Sequence, residues 1–182
     1  MADAAPSDPI IQLEQDHRMA LLLVGTVRRE TGDVRRDALR QLVKELSVHA
    51  AVEEIAVYPA IRRAFSTGDE WVDADLADHQ AMKEILVRLD GADPDDPNVT
   101  TDVEALGTAV EAHVTEEEVQ LTELRGRLSP QLFTEMAEAA EKARATAPTR
   151  PHPNAPSGGV GATVAGGAAS LVDKARDALR RD

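Results

Sequence analysis

The chain has 182 residues, a net charge of -13 at neutral pH and no cysteine. Its length supports one domain with a substantial core and an additional tail. The acidic balance argues against binding to nucleic acid or to anionic lipid, because both require a basic surface. The lack of cysteine excludes disulfides, thiolate metal sites, Fe–S clusters and cysteine nucleophiles, so that any metal must be held by nitrogen and oxygen.

The N-terminal stretch, residues 1–18, has no basic region followed by a long apolar run, and it is unlike a secretory signal. No window reaches about 18 consecutive apolar residues, so the sequence predicts no membrane-spanning helix. These features together predict a cytoplasmic protein. Aromatic residues make up only 2% of the chain, which indicates an aliphatic core.

Apolar residues recur at helical spacing in four long segments. The first follows Ser7, a candidate N-cap, and reaches about residue 30. The second covers about 33–65, the third about 69–90, and the fourth about 100–128. Nothing indicates a strand, and the connections are short. The sequence therefore predicts an all-α fold in which four helices form an up-down-up-down bundle.

Two further regions follow the bundle domain, which we assign to residues 8–128. A fifth helix is predicted within residues 129–146, with Ser129 as its cap. Residues 147–182 are rich in proline, glycine and small residues and predict a flexible linker. The linker leads to a short amphipathic tail whose apolar side would hold Leu171, Val172, Ala175, Ala178 and Leu179.

Four of the five histidines occur one on each long predicted helix, always on the apolar stripe: His17, His49, His79 and His113. A single histidine on an apolar face is usually a hydrogen-bonded core residue. Four such histidines that face one core are typical of a ligand site. The fifth, His152, lies in the predicted linker and is assigned no function.

Two glutamates, Glu53 and Glu117, also fall on the core faces. A buried carboxylate without a partner costs several kcal/mol or becomes protonated, and a metal cation removes this penalty. The His-x-x-x-Glu spacing places each glutamate about 6 Å from the histidine one turn earlier. The neighbouring Glu54, Glu116 and Glu118 lie off the stripe and are expected to be solvated.

The chain also contains an internal repeat. An Asp-His pair at 16–17 recurs at 78–79, and the His-x-x-x-Glu segment at 49–53 recurs at 113–117, with offsets of 62 and 64 residues. Each half therefore forms a helical hairpin that offers one histidine and one His-x-x-x-Glu. Two such halves predict a pseudo-symmetric site for two metals. A bundle without metal is the alternative that metal analysis would test.

The pattern H…HxxxE…H…HxxxE, with the segment HAAVEEIAVYPAI, resembles the hemerythrin-like, or HHE cation-binding, domain over about residues 8–128. The resemblance implies a four-helix bundle around two iron ions joined by an oxo or hydroxo bridge. It implies that His17 and His49 bind one iron, that His79 and His113 bind the other, and that Glu53 and Glu117 bridge them. Nitrogen and oxygen ligands do not exclude manganese or zinc.

One position departs from the oxygen-carrying hemerythrins, which have a further histidine one turn after the first on the third helix. Lys83 stands at that position here. With one histidine fewer, open coordination positions would suit activation of peroxide, oxygen or nitric oxide. Catalase-like decomposition of peroxide is therefore favoured over oxygen carriage. The alternative is a non-catalytic iron or oxygen sensor or an iron buffer, and the sequence does not identify the protein partner.

Tyr58 is an additional candidate ligand. On an ideal helix it points about half a turn away from His49 and would serve only in packing. However, Pro59 removes a backbone donor and disfavours helical geometry at the preceding residue. A local distortion would swing the phenol inward, where its oxygen would suit Fe(III), and both interpretations stay open.

Overall fold

A computed structural model of the chain describes residues 7–154 together with Ser170 and Asp173. The described residues form helices and no strand, which confirms the predicted all-α class. In chain order the elements are α1 (Pro9–Arg29), α2 (Gly32–Val52), a π-helical segment (Glu53–Val57), α3 (Tyr58–Ala64), α4 (Gly68–Leu89), α5 (Pro97–Arg127) and α6 (Pro130–Thr146).

The bundle has four helical rods. The first is α1, and the second is the continuous run of α2, the π-helical segment and α3. The third is α4 and the fourth is α5. Helix α1 packs against α2 and α5, and α4 packs against α3 and α5, so that rods consecutive in the chain are neighbours in space. Short turns between such rods require antiparallel packing. Gly32 and Gly91 make two of these turns with positive φ angles of 59° and 77°.

Three of the helices begin just after a residue whose side chain accepts from free backbone amides of the first turn. Asp8, and not the predicted Ser7, caps α1, because its carboxylate accepts from the amides of Ile10 and Ile11. Asp96 caps α5, which begins three residues before the predicted start. Ser129 accepts from the amide of Leu132 and caps α6, as predicted.

The aliphatic core is divided into two clusters. One lies toward the π-helical segment and α6, and the other toward the turns after α1 and α4. The first includes Ile10, Leu13, Val52, Val57, Ile61, Leu121 and Leu124, and the second includes Val24, Leu39, Leu42, Leu86, Val103, Leu106 and Val110. A layer of buried histidine and glutamate side chains lies between them.

Helix α6 covers the π-helical segment with a face of small residues. Met136, Ala140 and Ala143 are buried in the first cluster. The first residues of the predicted linker also pack on the protein: Ala147 is 3% exposed and Arg150 is 7% exposed and pairs with Asp90. These residues therefore pack against the bundle, and the flexibility of the linker stays a prediction.

The predicted tail helix of Leu171, Val172, Ala175, Ala178 and Leu179 lies outside the described residues. Nε2 of His152 lies 3.1 Å from Oδ2 of Asp173. No helix among the described residues combines the length and hydrophobicity that crossing a membrane requires.

Candidate metal centre

The polar layer receives side chains from all four rods of the bundle. Each of the six predicted ligands lies in it and is at most 5% exposed: His17, His49, Glu53, His79, His113 and Glu117. Helical periodicity brings them together, since each belongs to the inward face of its own helix. The structure therefore gathers all six into one cluster, while their role as ligands stays a prediction.

The first group of side chains joins α1, the second rod and α5. Nε2 of His49 lies 2.9 Å from Oε1 of Glu53, and Nε2 of His17 lies 3.0 Å from Oε2 of Glu117. One ligand atom from each of these four residues lies within 4.8 Å of the other three. The group offers two nitrogens and two carboxylates around one point.

The second group joins the second rod, α4 and α5. Nε2 of His79 lies 3.1 Å from Oε2 of Glu53 and 3.3 Å from Nε2 of His113. Glu53 thus contributes one oxygen to each group, which is the arrangement expected of a bridging carboxylate. Oε2 of Glu117 lies 3.0 Å from Nε2 of His17 and 3.6 Å from Nε2 of His113, so Glu117 is nearer to the first group.

Orphaned oxygen atoms test whether these residues fit a cation. Both carboxylate oxygens of Glu53 and Oε1 of Glu117 are buried and have no hydrogen-bond partner. The imidazole nitrogens that face Glu53 are near enough but miss the angles of a hydrogen bond. Buried carboxylates are normally paired, so their convergence with nitrogen lone pairs fits a bound divalent or trivalent cation.

The pKa values of the buried groups in the cluster are shifted in opposite directions. Burial and the nearby carboxylate of Glu117 raise the pKa of Glu53 well above its usual range. Burial also opposes ionisation of Glu117, but hydrogen bonds with His17 and Glu53 and the charges of His113 and His49 together outweigh it and lower the Glu117 pKa. Burial and the charge of His79 lower the pKa of His113 to about 3. Opposed shifts of this kind are typical of functional sites.

Glu54 corrects the prediction that it is solvated. It is 5% exposed, and its Oε1 lies 3.0 Å from Nδ1 of His79 and 2.5 Å from Nζ of Lys83. Glu54 is the second residue of the π-helical segment, whereas an ideal helix would place it off the inward face. A carboxylate that accepts from Nδ1 leaves the lone pair of Nε2 facing the centre.

Two other histidines have carboxylates behind their rings. Oδ2 of Asp16 lies 3.6 Å from Nδ1 of His49, and Oε1 of Glu118 lies 3.8 Å from Nδ1 of His17. Both distances exceed a hydrogen bond, so these contacts orient the rings electrostatically. Glu118 is half exposed, as predicted for a residue off the stripe.

The distortion considered near Pro59 is present as the π-helical segment. The amide of Tyr58 donates to the carbonyl of Glu53, five residues earlier, and Pro59 follows with no amide hydrogen. This turn buries Tyr58 to 2% exposure and brings its hydroxyl to 3.0 Å from Nε2 of His79. The phenol is therefore at the site and does more than fill space.

Asp75 is a buried carboxylate that periodicity alone did not single out. It lies one turn before His79, is 2% exposed, and accepts from the side-chain amide of Gln120 at 3.2 Å. Its second oxygen has no hydrogen-bond partner. Burial raises the pKa of Asp75 to about 6 despite the bond from Gln120. The signal in the sequence was its position four residues before a core histidine.

A small cavity adjoins all four histidines on the side away from Glu53 and Glu117. Aliphatic side chains form most of its wall, and Lys83 also lines it. The space holds about one water-sized molecule. The apolar wall includes Leu46, Met82, Leu86, Val110 and Val114.

The class of protein follows from this arrangement, because a helical bundle whose rods converge on buried histidines and glutamates is suited to cation binding. Residues 8–124 match the model of the hemerythrin HHE cation binding domain, and the chain belongs to this family. The resemblance noted in the sequence is confirmed.

Two relatives extend the comparison. A hemerythrin-like protein from Schizosaccharomyces pombe is 32% identical over 143 residues, which cover 78% of this chain and 70% of that protein. A DNA nickase from Nostoc sp. is 28% identical over 136 residues, 72% of this chain but only 38% of the nickase. No solved structure matches the chain.

Proposed function

We propose that the chain binds two iron ions bridged by an oxo or hydroxo group. His17, His49 and Glu117 would hold one ion, His79 and His113 the other, and Glu53 would bridge them, with Glu117 as a second bridge. The observation that carries the proposal is the sharing of Glu53 between two groups of buried ligand atoms. Imidazole and carboxylate ligands favour iron, with manganese as the alternative.

The second ion would lack the further histidine that the oxygen-carrying hemerythrins provide. Lys83, which stands where an oxygen carrier has another histidine, directs its ammonium to Glu54. A protonated amine has no lone pair to offer a metal. The hydroxyl of Tyr58, close to His79, is an additional candidate ligand there. A position for an exchangeable ligand is then expected on the histidine side of the site.

The adjoining cavity supports a small ligand. It contacts all four histidines and has an apolar wall, so it suits peroxide, oxygen or nitric oxide and excludes larger organic molecules. Bound iron would supply the redox chemistry that peroxide decomposition requires. We therefore favour catalase-like decomposition of peroxide over reversible oxygen carriage.

The test uses iron-loaded full-length protein. Steady oxygen release from added peroxide is expected, together with no reversible oxygen complex when the reduced protein is mixed with oxygen in a stopped-flow instrument. The His79→Ala variant serves as the control that must lose peroxide turnover. A long-lived oxygen complex that reverses on deoxygenation would overturn the proposal in favour of oxygen carriage. Absence of reaction with either oxidant would favour the sensor or buffer function.

The activity named for the Nostoc relative is not extended to this chain. The matched region covers 38% of that protein, and the net charge of -13 opposes association with a phosphate backbone.

A further inference from the structure

Helix α6 begins after residue 124, where the match to the family domain ends. One of its side chains nevertheless contacts Asp16, which lies behind the candidate ligand His49. Arg144, in the last turn of α6, contacts both oxygens of Asp16: Nη2 lies 2.6 Å from Oδ2 and Nη1 lies 3.4 Å from Oδ1. A guanidinium that contacts both oxygens of a carboxylate fixes its orientation better than a single contact does.

Asp16 stands directly behind a candidate ligand. The oxygen that accepts from Arg144, Oδ2, is also the one that lies 3.6 Å from Nδ1 of His49. On the opposite side of the same ring, Nε2 of His49 lies 2.9 Å from Glu53. The order in space is therefore guanidinium, carboxylate, imidazole and metal ligand cluster.

The half of the site that contains His79 has the same order of cation, carboxylate and imidazole, but its cation comes from a different helix. Lys83 contacts Glu54, and Glu54 contacts Nδ1 of His79 at 3.0 Å. Both of these residues belong to the bundle itself. The two halves thus share a cation–carboxylate–histidine arrangement, but only the half with His49 takes its cation from α6.

We propose that Arg144 is a positioning residue for the half of the site formed by His17 and His49, acting through Asp16 on the ring of His49. This inference rests on the proposed metal function. Outer carboxylates set the tautomer and orientation of ligating histidines, and their loss typically weakens metal binding by about 10- to 100-fold. Because Arg144 acts one step further out, a loss of about tenfold is expected at one metal only.

Arg63 provides a matched control. It also joins α6 to the bundle, through an ion pair of 2.6 Å with Glu135, but it is exposed and has no contact with the polar layer. Arg63→Gln and Arg144→Gln therefore each remove one ion pair that anchors α6. The buried face of Met136, Ala140 and Ala143 keeps α6 in place in both variants.

The experiment measures the affinities of both metals in the full chain by iron(II) titration against a competing chelator. Arg144→Gln should weaken one metal by about tenfold and leave the other unchanged, Arg144→Lys should have a smaller effect, and Arg63→Gln should have none. Unchanged affinities in Arg144→Gln would overturn the proposal. An equal loss in Arg63→Gln would also overturn it and assign the effect to docking of α6.

A second readout does not depend on metal. In protein without added metal, ¹⁵N spectra of labelled histidine should show a changed tautomer balance at His49 in Arg144→Gln but not in Arg63→Gln. Unchanged His49 signals would contradict the positioning role. If the wild-type chain binds no metal, the proposed function fails, and this readout still decides whether Arg144 orients His49.

Discussion

The hydroxyl of Tyr58 lies 3.0 Å from Nε2 of His79, the nitrogen that faces the other candidate ligands. The contact exists because a π-helical turn adds one residue between Glu53 and Tyr58. Turns of this kind often occur at functional sites, where they redirect side chains. Glu54, which contacts Nδ1 of His79, lies in the same π-helical segment.

The contact of Tyr58 with the site is testable in a conservative variant. Tyr58→Phe should keep two metals per chain, because the six other candidate ligands are intact. If the phenol binds Fe(III), the variant should lose a visible absorption band from phenolate-to-iron charge transfer. Metal analysis and absorption spectra of both proteins make the comparison. An identical spectrum in the variant would limit Tyr58 to packing and hydrogen bonding.

Glu53 is expected to be the most sensitive carboxylate, because its two oxygens face the two ligand groups. Glu53→Gln should lose both metals, since a neutral amide is a weak bridge and leaves the histidines without a counter-charge. The exposed Glu116 offers a matched control on α5, and Glu116→Gln should bind metal normally. Normal metal content in Glu53→Gln would show that the site is organised differently.

Glu54 is expected to support metal binding without touching the metal. Glu54→Ala removes the acceptor behind Nδ1 of His79, and it should weaken binding at the second ion by about 10- to 100-fold. Glu118→Ala is the comparison, because Glu118 is half exposed and 3.8 Å from His17, and it should change affinity much less. Chelator competition measures both variants, and equal effects would argue against a special role for Glu54.

The raised pKa of Asp75 predicts that the free energy of unfolding depends on pH. Because its folded pKa is raised to about 6, the folded state disfavours the carboxylate, and stability falls as pH rises from about 4 to 6. Asp75→Asn should therefore stabilise the metal-free protein at pH 7, on the order of 2 kcal/mol, and bring little gain near pH 4. Denaturant unfolding at both pH values tests this. A gain that is the same at both would contradict it.

Much of the architecture follows from periodicity in the sequence. The four rods, α6 and its cap at Ser129 were predicted, and so was the convergence of the core histidines with Glu53 and Glu117. These features depend on the 3.6-residue repeat of a regular helix, which places residues one turn apart on one face. These side chains are buried together because the helix faces that carry them pack into the core.

The residues that were missed depend on departures from the regular helix or on distant contacts. Glu54 was placed outside the site because it lies off the apolar stripe of a regular helix, and its contacts are with His79 and Lys83 on a different helix. The contact of Arg144 with Asp16 joins residues that are 128 positions apart, and no local pattern reveals it. It depends on how α6 packs across the bundle.

The most direct test of the central claim is metal analysis of the purified full-length chain after expression in iron-replete medium. The sharing of Glu53 between two ligand groups predicts about two iron atoms per chain, with an absorption band from oxo-to-iron charge transfer. A metal content near zero would contradict the claim. It would leave the buried histidines and glutamates as a hydrogen-bonded core without a cation.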